Sequence, residues 1–320
     1  MTAAWLWWVQ LWDRQESPRV LAAVRVLLGL VLLTDYLEIA RFGLVDALFC
    51  PPDQGGIPDV ARRTPAASLW PALQAVLPDG VPAGRVIWAV LLVCSGLIAL
   101  GAATPLAMVT FVLVSAQHGW AAPLADRGID TLIRNVLVIL AFSGSHRAWS
   151  VDAALGAGRD RVASWPRHLI ILQVCLIYFM AGVLKTAVSW SIVGGYSALY
   201  LVLQDPTIAR HDFSWLDRLY PATQVATAAT VSFEWTAALV PLAYWFRDTR
   251  GRRGWLRAQS NRFRWVLVWA IVGVALHVGI AATMALGIFP WAMLALYPCF
   301  LHPDEWIRAR QPRSRTPAQS

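Results

Sequence analysis

One lysine occurs in the 320 residues, Lys185, and it stands in the apolar run "LIYFMAGVLKTAVSW" (176–190). Every other residue of the Lys and Arg class is arginine. The two cations differ chemically in one decisive respect. A guanidinium keeps its proton in a protein, whereas a desolvated ammonium can give it up. A free amine is a base or a nucleophile. A lysine near the end of an apolar helix can also snorkel to the membrane surface. Arginine snorkels as well, so snorkelling alone does not explain why a chain built on arginine places a lysine here. Tyr178, Ala181, Gly182 and Lys185 fall on one helical face, and small residues one turn before the lysine leave room for a ligand or a neighbouring helix.

Other ionisable residues also interrupt apolar runs, where they are costly and mark candidate sites: Arg25, Asp35, Asp130, Arg134, Glu234 and His277. Asp130 and Arg134 stand at i, i+4 and read as a structural ion pair near a helix end. Arg25 is within snorkelling reach of the cytoplasmic surface. Asp35 and Glu38 share a face near an outer helix end, where solvation is available. Glu234, in "TVSFEWTAAL", lies too deep for so short a side chain to reach water and needs a partner or a proton. His277, central in "VALHVGIAATMAL", reads either as a hydrogen-bonded core residue or as part of a site lining. No His or carboxylate stands near it at metal-ligand spacing, so no metal is expected.

The elements that must position these residues are membrane spans. The chain is 58% hydrophobic and only 14% charged, with a mean hydropathy of +0.52; soluble domains carry about 25% charged residues. Its apolar runs reach the roughly 20 residues that cross a bilayer. Eight spans are expected, near 19–40, 86–103, 105–122, 129–145, 167–187, 224–246, 265–285 and 286–302, with Pro290 as a breaker between the last two. The net charge of +8 could suit nucleic acid or a membrane surface. The arginines cluster between apolar runs, in 146–166, in "RDTRGRRGWLRAQSNRFR" (247–264) and in "RARQPRSR" near the C-terminus. With eight spans and a cytoplasmic N-terminus, all three clusters fall on the cytoplasmic side. The expectation is therefore an all-α, polytopic integral membrane bundle with both termini cytoplasmic and no nucleic-acid partner. It comprises a Trp-rich interfacial segment (1–18), a transmembrane domain (19–305) and a basic tail (306–320). Two long segments, 41–85 and 188–223, then lie outside. The second, with Trp190, Tyr196, Tyr200, Trp215 and Tyr220, is expected to form an interfacial lid. Cys50, Cys94, Cys175 and Cys299 read as small buried hydrophobes.

At the lysine helix the sequence resembles a known family. "IYFMAGVLKTAVSW" followed by "GYSALYL" is similar to the signature of vitamin K-dependent gamma-carboxylases and their bacterial relatives, which share the horizontally transferred transmembrane (HTTM) domain. "LAAVRVLLGLVLLTD", "WSVDAAL", "FEWTAALVPL", "LHVGIAATMALGIF" and "PDEW" resemble further parts in the same order. The similarity extends over roughly residues 15–307 and implies a bacterial-type short form in a cell membrane, the bacterial inner membrane. It also implies a reduced naphthoquinone, of the menaquinone or vitamin K type, as cofactor. In the carboxylase, a lysine deprotonates the reduced quinone, reaction with oxygen makes a strong base, and a glutamate side chain is carboxylated. Lys185 matches the second of the family's paired lysines, the one assigned as base. The resemblance thus implies Lys185 as the catalytic residue, with Tyr178, Gly182, Trp190, Tyr196, Glu234 and His277 around the quinol. The departures are definite. Leu184 stands at the first paired lysine, the family's functional histidine falls near Ile129, and two extra residues separate Trp190 from "GYS". The lumenal portion that presents glutamates in the carboxylase has no counterpart here, so a partner chain would have to supply a substrate-binding surface.

Three classes of function follow. One is a quinol-dependent oxygenase or carboxylase-like enzyme using Lys185 as base. The second is a non-catalytic membrane component that binds a quinone, lipid or partner, with Lys185 pairing Glu234 or a headgroup. The third, a transporter, is disfavoured because no inverted repeat is present in the sequence.

Overall fold

The structure, a computed structural model, describes residues 12–58 and 69–303 together with Trp5 and Val9. Half of the expected interfacial segment 1–18 and all of the tail 306–320 lie outside the described residues. Among those described, thirteen α-helices run in the order α1 (Arg19–Arg41), α2 (Val45–Phe49), α3 (Leu69–Val76), α4 (Ala83–Leu100), α5 (Thr104–Ala121), α6 (Gly128–Ala141), α7 (Trp165–Leu184), α8 (Ala198–Gln204), α9 (Tyr220–Thr236), α10 (Val240–Asp248), α11 (Trp255–Arg262), α12 (Trp265–Thr283) and α13 (Phe289–Leu296). A two-residue antiparallel ladder, β1 (Gln15–Glu16) with β2 (Val162–Ala163), is the only sheet among the described residues. The chain is an all-α integral membrane bundle.

A helix stands at each of the eight expected spans. Five helical stretches are long and apolar enough to cross a membrane: α1, α4, α7, α12 and the stretch Ser214–Asp248 that contains α9 and α10. The other three positions hold α5, the 14-residue α6 and the segment Phe289–Phe300. Pro290 does not break a helix. It occupies the first turn of α13, where its missing N–H costs nothing. The expected span 224–246 is jointed, with a 3₁₀ turn at Ala237–Leu239 between α9 and α10.

Side-chain burial on α7 shows how the bundle sorts its faces. Ile170, Ile171, Val174, Cys175, Tyr178 and Gly182 point into the core. Leu172, Leu176, Met180 and Leu184 stay exposed on the opposite side. A helix apolar all round, with a wholly apolar exposed face, suits acyl chains as its solvent. The four cysteines are buried and free.

Near the N-terminal end of α1, two sequence motifs tie helices to loops. Arg25 does not snorkel. It is 0% exposed, and its guanidinium donates to the Ile98 carbonyl at 3.4 Å and to the Trp149 carbonyl. Asp152, of the "WSVDAAL" motif, accepts from the N–H groups of Ala103 (2.8 Å) and Thr104 (2.9 Å) and from the Thr104 hydroxyl (2.7 Å). It therefore caps α5 from a distant loop, with its charge at the positive end of the helix. Burial pushes the Asp152 carboxyl up, but these hydrogen bonds outweigh it and leave the carboxyl below its ordinary value of 3.8. A depressed carboxylate stabilises above its unfolded pKa and stops doing so as pH falls through its folded one. Asp152→Ala is expected to cost about 1–2 kcal/mol near neutrality. Thermal unfolding in detergent should show that gap to the wild type closing on strong acidification.

Candidate functional site

Helix α7 ends at Leu184, one turn sooner than the hydropathy predicts, because apolar composition continues past the helix. Lys185 is the first residue beyond it (φ −76°, ψ 68°). The change of direction carries its side chain across to α9. There Lys185 Nζ donates to Glu234 Oε1 at 2.6 Å and lies 4.8 Å from the centre of the Trp190 ring. The side chains are 18% and 8% exposed, respectively. The other carboxylate oxygen, Glu234 Oε2, is buried with no hydrogen-bond partner. A short ion pair thus holds one spare acceptor in a largely dry place, against an indole face that favours a cation.

Gly182 makes this approach feasible. A Cβ there would stand 3.1 Å from Glu234 Cβ and 3.1 Å from Trp235 Cδ1. Gly182→Val is expected to force α7 and α9 apart at an overpacking cost of about 1–3 kcal/mol, read as a lowered unfolding midpoint in detergent.

Below the ion pair, Tyr178 hydrogen-bonds His277 Nε2 and, at 2.8 Å, the hydroxyl of Tyr297. Its ring meets Phe233 and Trp269 edge-on, at 5.0 and 5.5 Å between centroids. His277 Nδ1 is buried without a partner. Tyr297 is a polar member of this group that sequence reasoning missed; nothing in "ALYPCF" distinguishes it. Gly273 gives Tyr297 its place, since a Cβ there would collide with the Tyr297 hydroxyl.

The predicted residues therefore fall into three sets. Lys185, Gly182, Glu234 and Trp190 meet directly. Tyr178 and His277 meet each other and adjoin the first set through Phe233, the neighbour of Glu234. Tyr196 stands apart. It occupies a turn at φ +51°, its N–H bonded to the Ser191 carbonyl at 3.0 Å, and among the described residues no hydrogen bond or ring contact joins it to Lys185. Tyr200, also expected in the lid, donates instead to Asp217 at 2.5 Å. The segment is fastened to α9 by Gln224, whose amide donates to the Gly195 carbonyl at 2.6 Å.

A second polar group lies near the opposite end of α1 from Arg25. Asp130 does not pair with Arg134. Arg127 bridges Asp35 (2.7 Å) and Asp130 (2.9 Å), while Arg134 pairs with Asp126 (2.7 Å). These charges rim a cavity of about 250 Å³ whose apolar wall includes Tyr36, Phe49 and Phe111. Lys185 is not part of its lining.

No solved structure matches the chain. Residues 13–306, which hold all of these groups, match the HTTM domain, and the chain belongs to the HTTM-domain family.

Proposed function

We propose that this membrane protein, in a bacterial inner membrane, is a quinol-dependent oxygenase of the gamma-carboxylase-like type, with Lys185 as its base. The observation that carries the reading is the Lys185–Glu234 pair: the chain's one lysine, partly buried, 2.6 Å from a carboxylate with an unused oxygen. Lys185 can pass a proton to Glu234 across that contact, which leaves a neutral amine and a neutral acid. The neutral amine of Lys185 would then be placed to accept one proton from the hydroxyl of a bound quinol, with Glu234 holding the proton that Lys185 gave up. The pair has gained one proton in all, held by residues already in contact.

The residues fit a reduced naphthoquinone. Trp190 offers an aromatic face beside the amine, and Glu234 Oε2 offers an acceptor for a hydroxyl. When bound, the quinol would supply an acidic hydroxyl and the four electrons that reduce dioxygen, with quinone epoxide and one water as net products. Gly182 keeps the floor low, and Tyr178, His277 and Tyr297 fix the helices beneath it.

The test adds a reduced menaquinone analogue anaerobically to purified protein, admits oxygen, and measures epoxide by mass spectrometry. Wild type is expected to form epoxide and Lys185→Ala to form none while still binding the quinol. Equal epoxide from both proteins would sink the reading.

A second reading is favoured by the same contact. The pair is also what a non-catalytic quinone-, lipid- or partner-binding component would use to join α7 to α9. That reading expects Lys185→Arg to behave as wild type in every assay.

A further inference from the structure

We propose that the cavity between α1, α2, α5 and α6 is a binding site for a small organic cation, a protonated amine carried on an apolar or aromatic body. The cavity measures about 250 Å³, and Lys185 is not part of its lining. A cavity of about 150 Å³ holds a benzene ring, so this one admits roughly ten non-hydrogen atoms. Tyr36, Phe49 and Phe111 stand in its wall. Between ring centroids, Tyr36 lies 6.0 Å from Phe111 and 6.3 Å from Phe49, so the three rings form one aromatic cluster.

The charges at the rim select the sign of the ligand. Each of them has a partner, but they do not balance. With the imidazole of His118 counted as neutral, three carboxylates (Asp35, Asp126 and Asp130) face two guanidiniums (Arg127 and Arg134), which leaves one negative charge in surplus. The surplus falls on the two acids that share Arg127. Asp130 is fully engaged there, accepting from the Arg127 backbone N–H at 2.8 Å and from its guanidinium at 2.9 and 3.0 Å. Asp35, among the described residues, accepts only from the Arg127 guanidinium, at 2.7 and 3.3 Å. Its carboxylate therefore keeps acceptor capacity for a further donor. Both guanidiniums are held by rim acids, so an anionic ligand would meet the carboxylate surplus and no available cation.

The wall selects an organic cation over a metal ion. Aromatic faces attract an ammonium, and the cavity is far larger than a bare ion needs. No group of three or more His, Cys, Asp or Glu side chains among the described residues is placed to hold a metal. His118, also in the wall, stacks on Phe49 at 4.2 Å between centroids and 10° between planes. Its Nδ1 is buried with no hydrogen-bond partner, a condition that calls for a group the chain does not supply. A protonated amine brings several donors at one atom, enough to serve Asp35 and an imidazole nitrogen together. The rim is open to water, since the Arg127 side chain is 42% exposed.

The experiment titrates the purified full chain in neutral detergent with three probes of similar size: phenethylammonium, neutral phenethyl alcohol and anionic phenylacetate. Wild type is expected to bind the ammonium about tenfold more tightly than the alcohol and to leave phenylacetate unbound. Asp35→Asn balances the rim and keeps an oxygen for Arg127. It should abolish the preference for the ammonium and leave the affinity for the alcohol unchanged. Should that variant unfold, Phe111→Leu should weaken the ammonium about fivefold and the alcohol less. Equal affinity of wild type for ammonium and alcohol, tighter binding of phenylacetate, or an undiminished preference in Asp35→Asn overturns the site. Phosphatidylethanolamine, added last, separates two sources of the same ammonium. If it displaces the probe, the site takes a lipid headgroup amine; if it does not, the site takes a dissolved amine.

Discussion

Lys185→Arg is expected to fold normally, to bind reduced quinone as wild type does, and to lose epoxide formation by about 10²–10⁴-fold, the usual contribution of a general base. The substitution keeps the positive charge and improves the geometry available to it. Glu234 Oε2 is buried without a partner, so a guanidinium can engage both carboxylate oxygens where the ammonium engages Oε1 at 2.6 Å. What it removes is the capacity to become neutral. Stability and proton transfer are thereby separated, which Lys185→Ala does not achieve. Alanine leaves a carboxyl that is 8% exposed without its counter-ion, at a cost of about 3–5 kcal/mol unless the group takes up a proton. Lys185→Ala/Glu234→Ala should recover stability relative to either single variant and recover no turnover. The measurements are unfolding midpoints, quinol binding and single-turnover epoxide yield on the same preparations. Wild-type turnover in Lys185→Arg would reduce the lysine to a charge and leave the pair as a helix-joining device.

Each member of this pair was legible in the sequence, and their pairing stood there only as one option beside a headgroup partner. Lys185 announces itself as the chain's single lysine, and Glu234 as a short acid too deep to reach water. A separation of 49 positions carries no spacing rule, and only the turn after Leu184 brings the two together. Gly182 was readable as a small residue on the lysine's face. Its actual use, the close approach of Trp235 and Glu234, depends on the partner helix. The misreadings have a common physical origin. Arg25 was judged by its reach to water, yet carbonyls freed near the end of α4 and in the "WSVDAAL" loop accept from it inside the bundle. Asp130 and Arg134 share a face, but Arg127 and Asp126, just before α6, compete for them and win. Periodicity gives the helices and their faces. It cannot rank partners that arrive from loops.

Arg167 sets up the largest stability effect outside the candidate site. It is 2% exposed and Glu16 is 7% exposed; Arg167 Nε reaches the two carboxylate oxygens at 2.9 and 3.0 Å. The same guanidinium donates to the Cys299 carbonyl at 3.4 Å and stacks 5.6 Å from the Tyr244 ring centre. One side chain thus joins the N-terminal strand, α7, α10 and the turn after α13. Removing either partner alone from a buried pair is expected to cost about 3–5 kcal/mol, while replacing both by apolar residues costs far less. The two single variants should nevertheless differ. In Glu16→Leu the arginine is left charged at every accessible pH. In Arg167→Met the carboxyl can protonate. Burial already pushes Glu16 above its ordinary value of 4.5 against the pull of Arg167, and without the arginine only the upward push remains. A raised folded-state pKa stabilises fully below the unfolded value, and that contribution is lost as pH rises through the folded one. Arg167→Met should therefore be closest to wild type in mild acid and fall away toward neutrality, while Glu16→Leu stays destabilised throughout. Unfolding midpoints of both variants and of Glu16→Leu/Arg167→Met, taken across pH in one detergent, decide it. Parallel pH curves for the two single variants would mean that the carboxyl stays charged and that water or another cation serves it when Arg167 is gone.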